Sequence, residues 1–210
     1  MNTAFGMVND GNRVIVFRGM KEYSRCSNET YELNVTSWEW KKLNPGPADT
    51  GKTPKPRYGH SFNLIGNRTF MFGGMAISNL KEKPQYLNDL YSIELRDSHG
   101  VRNWTVPKTY GILPSPRDFH IAVSYQTKGG SCKLLIHGEK HRSRRLSDVY
   151  VLDIDSCTWS APKVRGVPPL PRTLHTSTLL DDKLYVFGGL IPRESPVSSQ
   201  NQNLPISCRF

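Results

Sequence analysis

Four short apolar runs, each ending in a glycine or a glycine pair, punctuate the chain: VIVFRGM over 14–20, FMFGGM over 70–75, LLIHGEK over 134–140 and LYVFGGL over 184–190. Aligned on that ending, the first glycine slot holds Arg18, Gly73, Gly138 and Gly188, and the second holds Gly19, Gly74, Glu139 and Gly189. The first slots lie 55, 65 and 50 residues apart. Upstream of the last three runs stands Pro-Arg-x-x-His, at Pro56–His60, Pro116–His120 and Pro171–His175. An apolar or alternating segment follows each (Ser61–Ile65, Ile121–Tyr125, Thr176–Leu180), which reads as a strand. Gly66-Asn67 and Asp181-Asp182 then supply two-residue turns, and Gln126–Ser131 supplies a wider one. Downstream of the first three runs a tyrosine segment leads to a tryptophan: Tyr31 to Trp40, Tyr91 to Trp104 and Tyr150 to Trp159. The longer middle interval places extra residues in a hairpin turn within Arg96–Arg102. Each copy therefore carries four strand signals, and no window of useful length has helical period. A period near 50 with four strands and a glycine pair predicts an all-β propeller of the kelch type.

The residue types have structural reasons. Glycine at a strand end permits positive φ and close backbone approach. Tyrosine and tryptophan offer large flat areas for packing blade on blade. Trp40, Trp104 and Trp159 are accordingly expected in the core.

Composition narrows the picture. The 210 residues include 28 Lys plus Arg and 18 Asp plus Glu, for a net charge of +10, with a mean hydropathy of −0.51. With 17 glycines and 15 prolines, coiled-coil, helical-bundle and collagen-like classes are excluded. No apolar run approaches the ~18 residues of a membrane-spanning helix. The opening MNTAFGMVNDGNR lacks the basic and apolar regions of a signal peptide. Cys26, Cys132, Cys157 and Cys208 share no close C-x-x-C spacing, so neither zinc nor any other metal is expected, and reduced thiols fit a nuclear or cytosolic setting. The sequons at Asn28, Asn34, Asn67 and Asn103 are then idle. Residues 193–210, rich in Ser, Gln, Asn and Pro, read as a disordered tail after a partial propeller over 1–192.

Several stretches carry a closer likeness: YELNVTSWEWKKL at 31–43, PRYGHSFNL at 56–64, YLNDLYSIEL at 86–95, TYGILPSPR at 109–117, LDIDSCTW at 152–159 and 169–189. They resemble the kelch-repeat propeller of the host cell factor family of transcriptional co-regulators. The family propeller has six blades, whereas this chain holds about three and a half four-stranded blades, an incomplete copy. Arg18 and Glu139 stand where the family has glycines, so distorted second strands are expected in two blades. The resemblance implies a nuclear, non-enzymatic interaction module without cofactor. It would recognise short acidic-His-x-Tyr motifs and tether transcription factors to histone-modifying complexes, and it would not read DNA sequence directly. The alternative is a cytoskeletal or ubiquitin-ligase adaptor kelch protein, a class that works with a partner domain such as a BTB region.

Candidate chemistry sits at the repeated motif. Arg57, Arg117 and Arg172 occupy equivalent positions, as do His60, His120 and His175, and these six are the candidate peptide-binding residues. Radial repetition would set the arginines in a basic ring, and a guanidinium suits bidentate capture of a carboxylate. The other reading is that each arginine ties its own blade through loop carbonyls or an acidic neighbour. No paired carboxylates, nucleophile elbow or phosphate loop accompanies them, so no catalytic residues are assigned. The basic segment Glu139–Arg145 (EKHRSRR) is a candidate phosphate contact or import signal, against the plainer reading of a solvated loop.

Overall fold

The alternation of apolar and polar positions is realised directly as strand pleat. In Arg13–Phe17 residues 13, 15 and 17 are buried while 14 and 16 are only half-buried, because successive side chains point to opposite faces of a sheet. The computed structural model describes residues 2–21, 25–77, 83–96, 99–141, 144–164, 169–180, 183–190 and 206–209. Among them every regular element is a β-strand. The chain divides into two compact units, Met1–Lys108 with Pro116–Asp118, and Thr109–Ser115 with Phe119–Phe210.

The first unit holds two four-stranded antiparallel blades. The first runs Gly6–Asn9, Arg13–Phe17, Thr30–Asn34, Trp40–Leu43 in spatial order. The second runs Ser61–Ile65, Arg68–Phe72, Leu90–Leu95, Val101–Thr105. Their shared core joins Val8, Ile15 and Phe17 to Phe62, Met71, Tyr91, Ile93 and Trp104. Trp104 meets Phe17 and Tyr91 edge-on, at ring-centroid distances of 5.7 and 6.2 Å, the geometry that aromatic quadrupoles favour.

The second unit holds the third blade and the start of another. Ile121–Gln126, Cys132–His141, Arg144–Asp153 and Thr158–Ser160 form the blade, and Tyr110–Gly111 adds a parallel strand beyond Thr158–Ser160. Thr173–Leu180 and Lys183–Leu190 form the last hairpin. Leu135, Val149 and Val151 pack against Leu184 and Val186. The tail expected to lack order over 193–210 lies outside the described residues except at Ile206–Arg209, a strand paired with Lys183–Val186. There a free strand edge offers backbone partners that composition alone does not reveal. The fold is thus an incomplete kelch-type propeller.

Two expectations need correction. Trp104 and Trp159 are 2% exposed, but Trp40 is 58% exposed. Trp40 lies with Met7, Val16 and Tyr31 on the face of the first blade opposite the one that contributes Val8, Ile15 and Phe17 to the core. The second correction concerns the replaced glycines. In the second blade the strand stops at Phe72, the chain turns through Gly73 and Gly74, and Met75–Ala76 pairs with Arg57–Tyr58. A Cβ on Gly74 would lie 2.8 Å from the Tyr58 carbonyl oxygen, so a side chain has no room in that path. With Glu139 in this slot, the third blade instead shifts register between His137 and Glu139 and extends its hairpin to the pair His141↔Arg144. The blade carrying Arg18 keeps a regular ladder through Phe17. There Arg18 pairs with Glu29 at 2.7 Å and lies over the Tyr31 ring.

Candidate functional site

The arginines of Pro-Arg-x-x-His turn inward. Arg57 and Arg117 are 0% exposed and Arg172 is 7% exposed. Arg57 grips the Asp89 carboxylate with both terminal nitrogens, at 2.6 and 2.8 Å. It also donates to the carbonyls of Gly73 at 2.9 Å and Lys55 at 3.2 Å. Arg172 repeats the carbonyl contacts at equivalent positions, to Gly188 at 2.9 Å and Leu170 at 3.2 Å. The donor fork of each therefore ties the loop before the first strand of its blade to the first glycine slot of the same repeat. This is the tie between loop carbonyls and an acidic neighbour, and it leaves these guanidiniums buried rather than open to an acidic ligand.

The histidines are packing groups. His60, His120 and His175 are 7%, 5% and 5% exposed. His60 lies edge-on to Phe17, with centroids 5.1 Å apart, and His175 lies edge-on to His137 at 5.5 Å. Phe17 and His137 both stand one residue before the first glycine slot of the preceding repeat. His60 thus couples the first two blades, and His175 couples the third blade to the last hairpin. Neither His60 ring nitrogen has a hydrogen-bond partner. Burial, assisted by the Arg57 charge, pushes its pKa down to about 3, so the ring is neutral at physiological pH.

The residue before each histidine shares an unusual backbone. Gly59, Phe119 and Leu174 have φ of 63°, 52° and 56°. Left-handed backbone is native to glycine, and a bulky residue there is strained by about 1–2 kcal/mol. Leu174 is nonetheless 64% exposed, so burial does not offset that strain. Sequence reading passed over these positions, although Gly59 at the matching place in the second repeat was the signal for a left-handed turn.

A second polar cluster lies in the first unit. Arg13, 4% exposed, bonds Asp10 at 2.7 Å, Glu32 at 3.3 Å and the carbonyls of Gly100 and Arg96. Glu32 also accepts from the Gly100 amide at 2.7 Å and lies 2.8 Å from His99 Nδ1. The extended turn of the second blade is thereby clamped to the first, and Glu32's carboxyl sits below the usual range: burial alone would raise it, but the Gly100 and His99 hydrogen bonds and the Arg13 charge prevail. In the basic segment the described backbone places Lys140 opposite Arg145 and His141 opposite Arg144, while 142–143 lie outside the described residues. Among the described residues no three His, Cys, Asp or Glu side chains gather to hold a metal ion.

The model of the host cell factor kelch-repeats domain matches residues 2–208. The chain belongs to that family. Host cell factor 1 of Homo sapiens is 49% identical over 193 residues, covering 90% of this chain and 9% of that protein. Host cell factor 2 of Homo sapiens is 46% identical over 211 residues, covering 99% of this chain and 26% of that protein. The Drosophila melanogaster host cell factor is 48% identical, covering 90% and 13%. The chain therefore spans about a quarter or less of the length of these relatives. A solved structure titled "Structure of YjhT" superimposes with a TM-score of 0.63 at 14% identity, covering 90% of this chain and 58% of that one, a likeness of fold. Homology to the host cell factor kelch domain makes this a protein-interaction module of that kind.

Proposed function

We propose that the chain captures short acidic-His-x-Tyr segments, tethering transcription factors to histone-modifying complexes in the nucleus without catalysis. The observation that carries this reading is the family match across residues 2–208. In this reading Arg57, His60, Arg117, His120, Arg172 and His175 serve the site as positioning residues, holding the loops that lead into the first strands of their blades. Leu174, held in left-handed backbone at the start of the strand Thr173–Leu180 and 64% exposed, presents the side chain that meets the peptide. Strain kept at an exposed position is characteristic of ligand-contacting sites.

The test is fluorescence anisotropy with a labelled acidic-His-x-Tyr peptide and its His→Ala counterpart. Saturable binding of the first, at least tenfold tighter than the second, is expected, which corresponds to about 1.4 kcal/mol. Leu174→Gly should weaken binding tenfold while the melting temperature holds or rises, since glycine relieves the left-handed strain. Equal affinity for the two peptides would refute the motif, and unchanged affinity in Leu174→Gly would remove this residue from the site.

A further inference from the structure

Ladder registers map one repeat onto another. Phe17, Phe72 and Phe187 each stand one residue before the first glycine slot, so Val16, Met71 and Val186 are equivalent. Cross-strand partners extend the match. Met7 faces Val16 as Phe62 faces Met71, Tyr31 faces Val16 as Tyr91 faces Met71, and Trp40 faces Leu33 as Trp104 faces Ile93. In the second blade the set Phe62, Met71, Tyr91 and Trp104 receives Val8, Ile15 and Phe17 of the first blade in one core. The same set in the first blade, Met7, Val16, Tyr31 and Trp40, lines an open apolar groove of about 450 Å³ together with Phe5 and Arg18. Met7 and Trp40 are both 58% exposed.

The complementary half of that contact is also bare. The last hairpin's counterparts of Val8, Ile15 and Phe17 are Thr178, Tyr185 and Phe187, since Thr178 faces Tyr185 as Val8 faces Ile15. Phe187 is 59% exposed, and Leu180 in the same hairpin is 61% exposed. The opposite side of the hairpin is covered: Val186, counterpart of Met71, is 1% exposed and packed with Leu135, Val149 and Val151.

We propose that these two faces meet head to tail between two copies of the chain, the Phe187 face of one copy seated in the Met7–Trp40 groove of the other. Each copy carries both halves of a contact that its own first two blades already make. A contact between unlike faces leaves one face of each kind at the ends of a pair, so association closes into a ring or continues as a chain of copies. Removing this apolar area from water drives it.

Sedimentation velocity on the full chain tests the proposal. The native chain should form dimers or larger species that grow with concentration. Met7→Glu and Phe187→Glu, both at positions more than half exposed, should each give folded monomers by circular dichroism. Mixing them should restore a 1:1 dimer and nothing larger, because one variant keeps the Phe187 face and the other keeps the groove. Trp40→Lys and Leu180→Lys give a second pair in the same design. A native chain that stays monomeric over about a hundredfold range of concentration overturns the proposal, as would variants that associate like the native chain or a mixture that does not associate; each means that another surface, or a segment of the same chain, covers the groove.

Discussion

Replacing Arg57 with leucine separates a positioning role from a binding one. The guanidinium is 0% exposed, bidentate to Asp89 and bonded to the Gly73 and Lys55 carbonyls. Leucine fills part of the volume but leaves a carboxylate and two carbonyls without their donor. Removing one partner of a buried ion pair costs about 3–5 kcal/mol. The Asp89 side chain is 35% exposed, so water can reclaim much of it, which places the cost near the lower end, about 3 kcal/mol. That is a large share of the ~5–15 kcal/mol by which a domain is stable, and for a chain of this size it lowers the melting temperature by about 6–12 °C. Asp89→Asn keeps an acceptor and should cost less, about 1 kcal/mol. Urea titration with an unchanged slope reads the loss directly. Peptide affinity of the remaining folded molecules should fall less than in Leu174→Gly, because the guanidinium holds backbone in place without reaching the surface. A loss below about 1 kcal/mol, or weakened peptide binding at unchanged stability, would refute this reasoning.

Three further outcomes follow from the packing and the charges. Trp104→Ala should cost about 3–5 kcal/mol in urea unfolding, whereas Trp40→Ala, at 58% exposure, should cost under about 1 kcal/mol in the monomer; similar values would contradict the burial difference. His60 is charged below about 6.5 when unfolded but stays neutral to about 3 when folded, so the unfolded chain binds the extra proton and stability falls as pH drops through that window. His60→Leu should reduce that slope by up to about 1.4 kcal/mol per pH unit, and an unaltered pH profile would count against the buried neutral ring. Glu32's lowered carboxyl stabilises the fold above about pH 4.3, and that contribution disappears as pH falls through the lowered folded value; Glu32→Gln should flatten the acid limb below 4.3 in the same titration.

Most of the fold was legible because each repeat carries redundant signals. The predicted strand Ser61–Ile65 is found with those bounds, and the Gly66-Asn67 turn lies where the pattern puts it. Residues 127–131 form the wide turn of the third blade, between Gln126 and Cys132. Burial was less legible, because the pattern reports which face of a strand is apolar but not whether a neighbour covers it. Trp40 and Trp104 share a ladder position, yet one is 58% exposed and the other 2%. The contacts of Arg57 and Arg172 follow the second of the two readings of the motif, a tie within each blade. Arg57 and Arg172 recur because two carbonyls recur at fixed reach, a backbone geometry that no residue letter encodes. Glu139 was read as a local distortion, but the register shift it brings lets a hairpin lengthen.

Repetition itself separates scaffold from recognition. Where residue identity repeats, as with Arg57 and Arg172 to the glycine-slot carbonyl of their own repeat and His60 and His175 to the ring before the slot of the preceding repeat, the copies perform the same internal task. Such a position can change only by breaking its own blade, so it is a poor place for a surface to vary with its partner. One position repeats in geometry but not in identity. Gly59, Phe119 and Leu174 share left-handed backbone within 11° of φ, yet their side chains run from none to large and apolar. Glycine would adopt that turn without strain, and two repeats do not use it. Leu174 is largely exposed, so burial of its side chain does not offset the strain it carries. A strained, exposed and repeat-specific side chain at the start of a strand, two residues after a buried arginine, has the features expected of a contact made with something outside the fold.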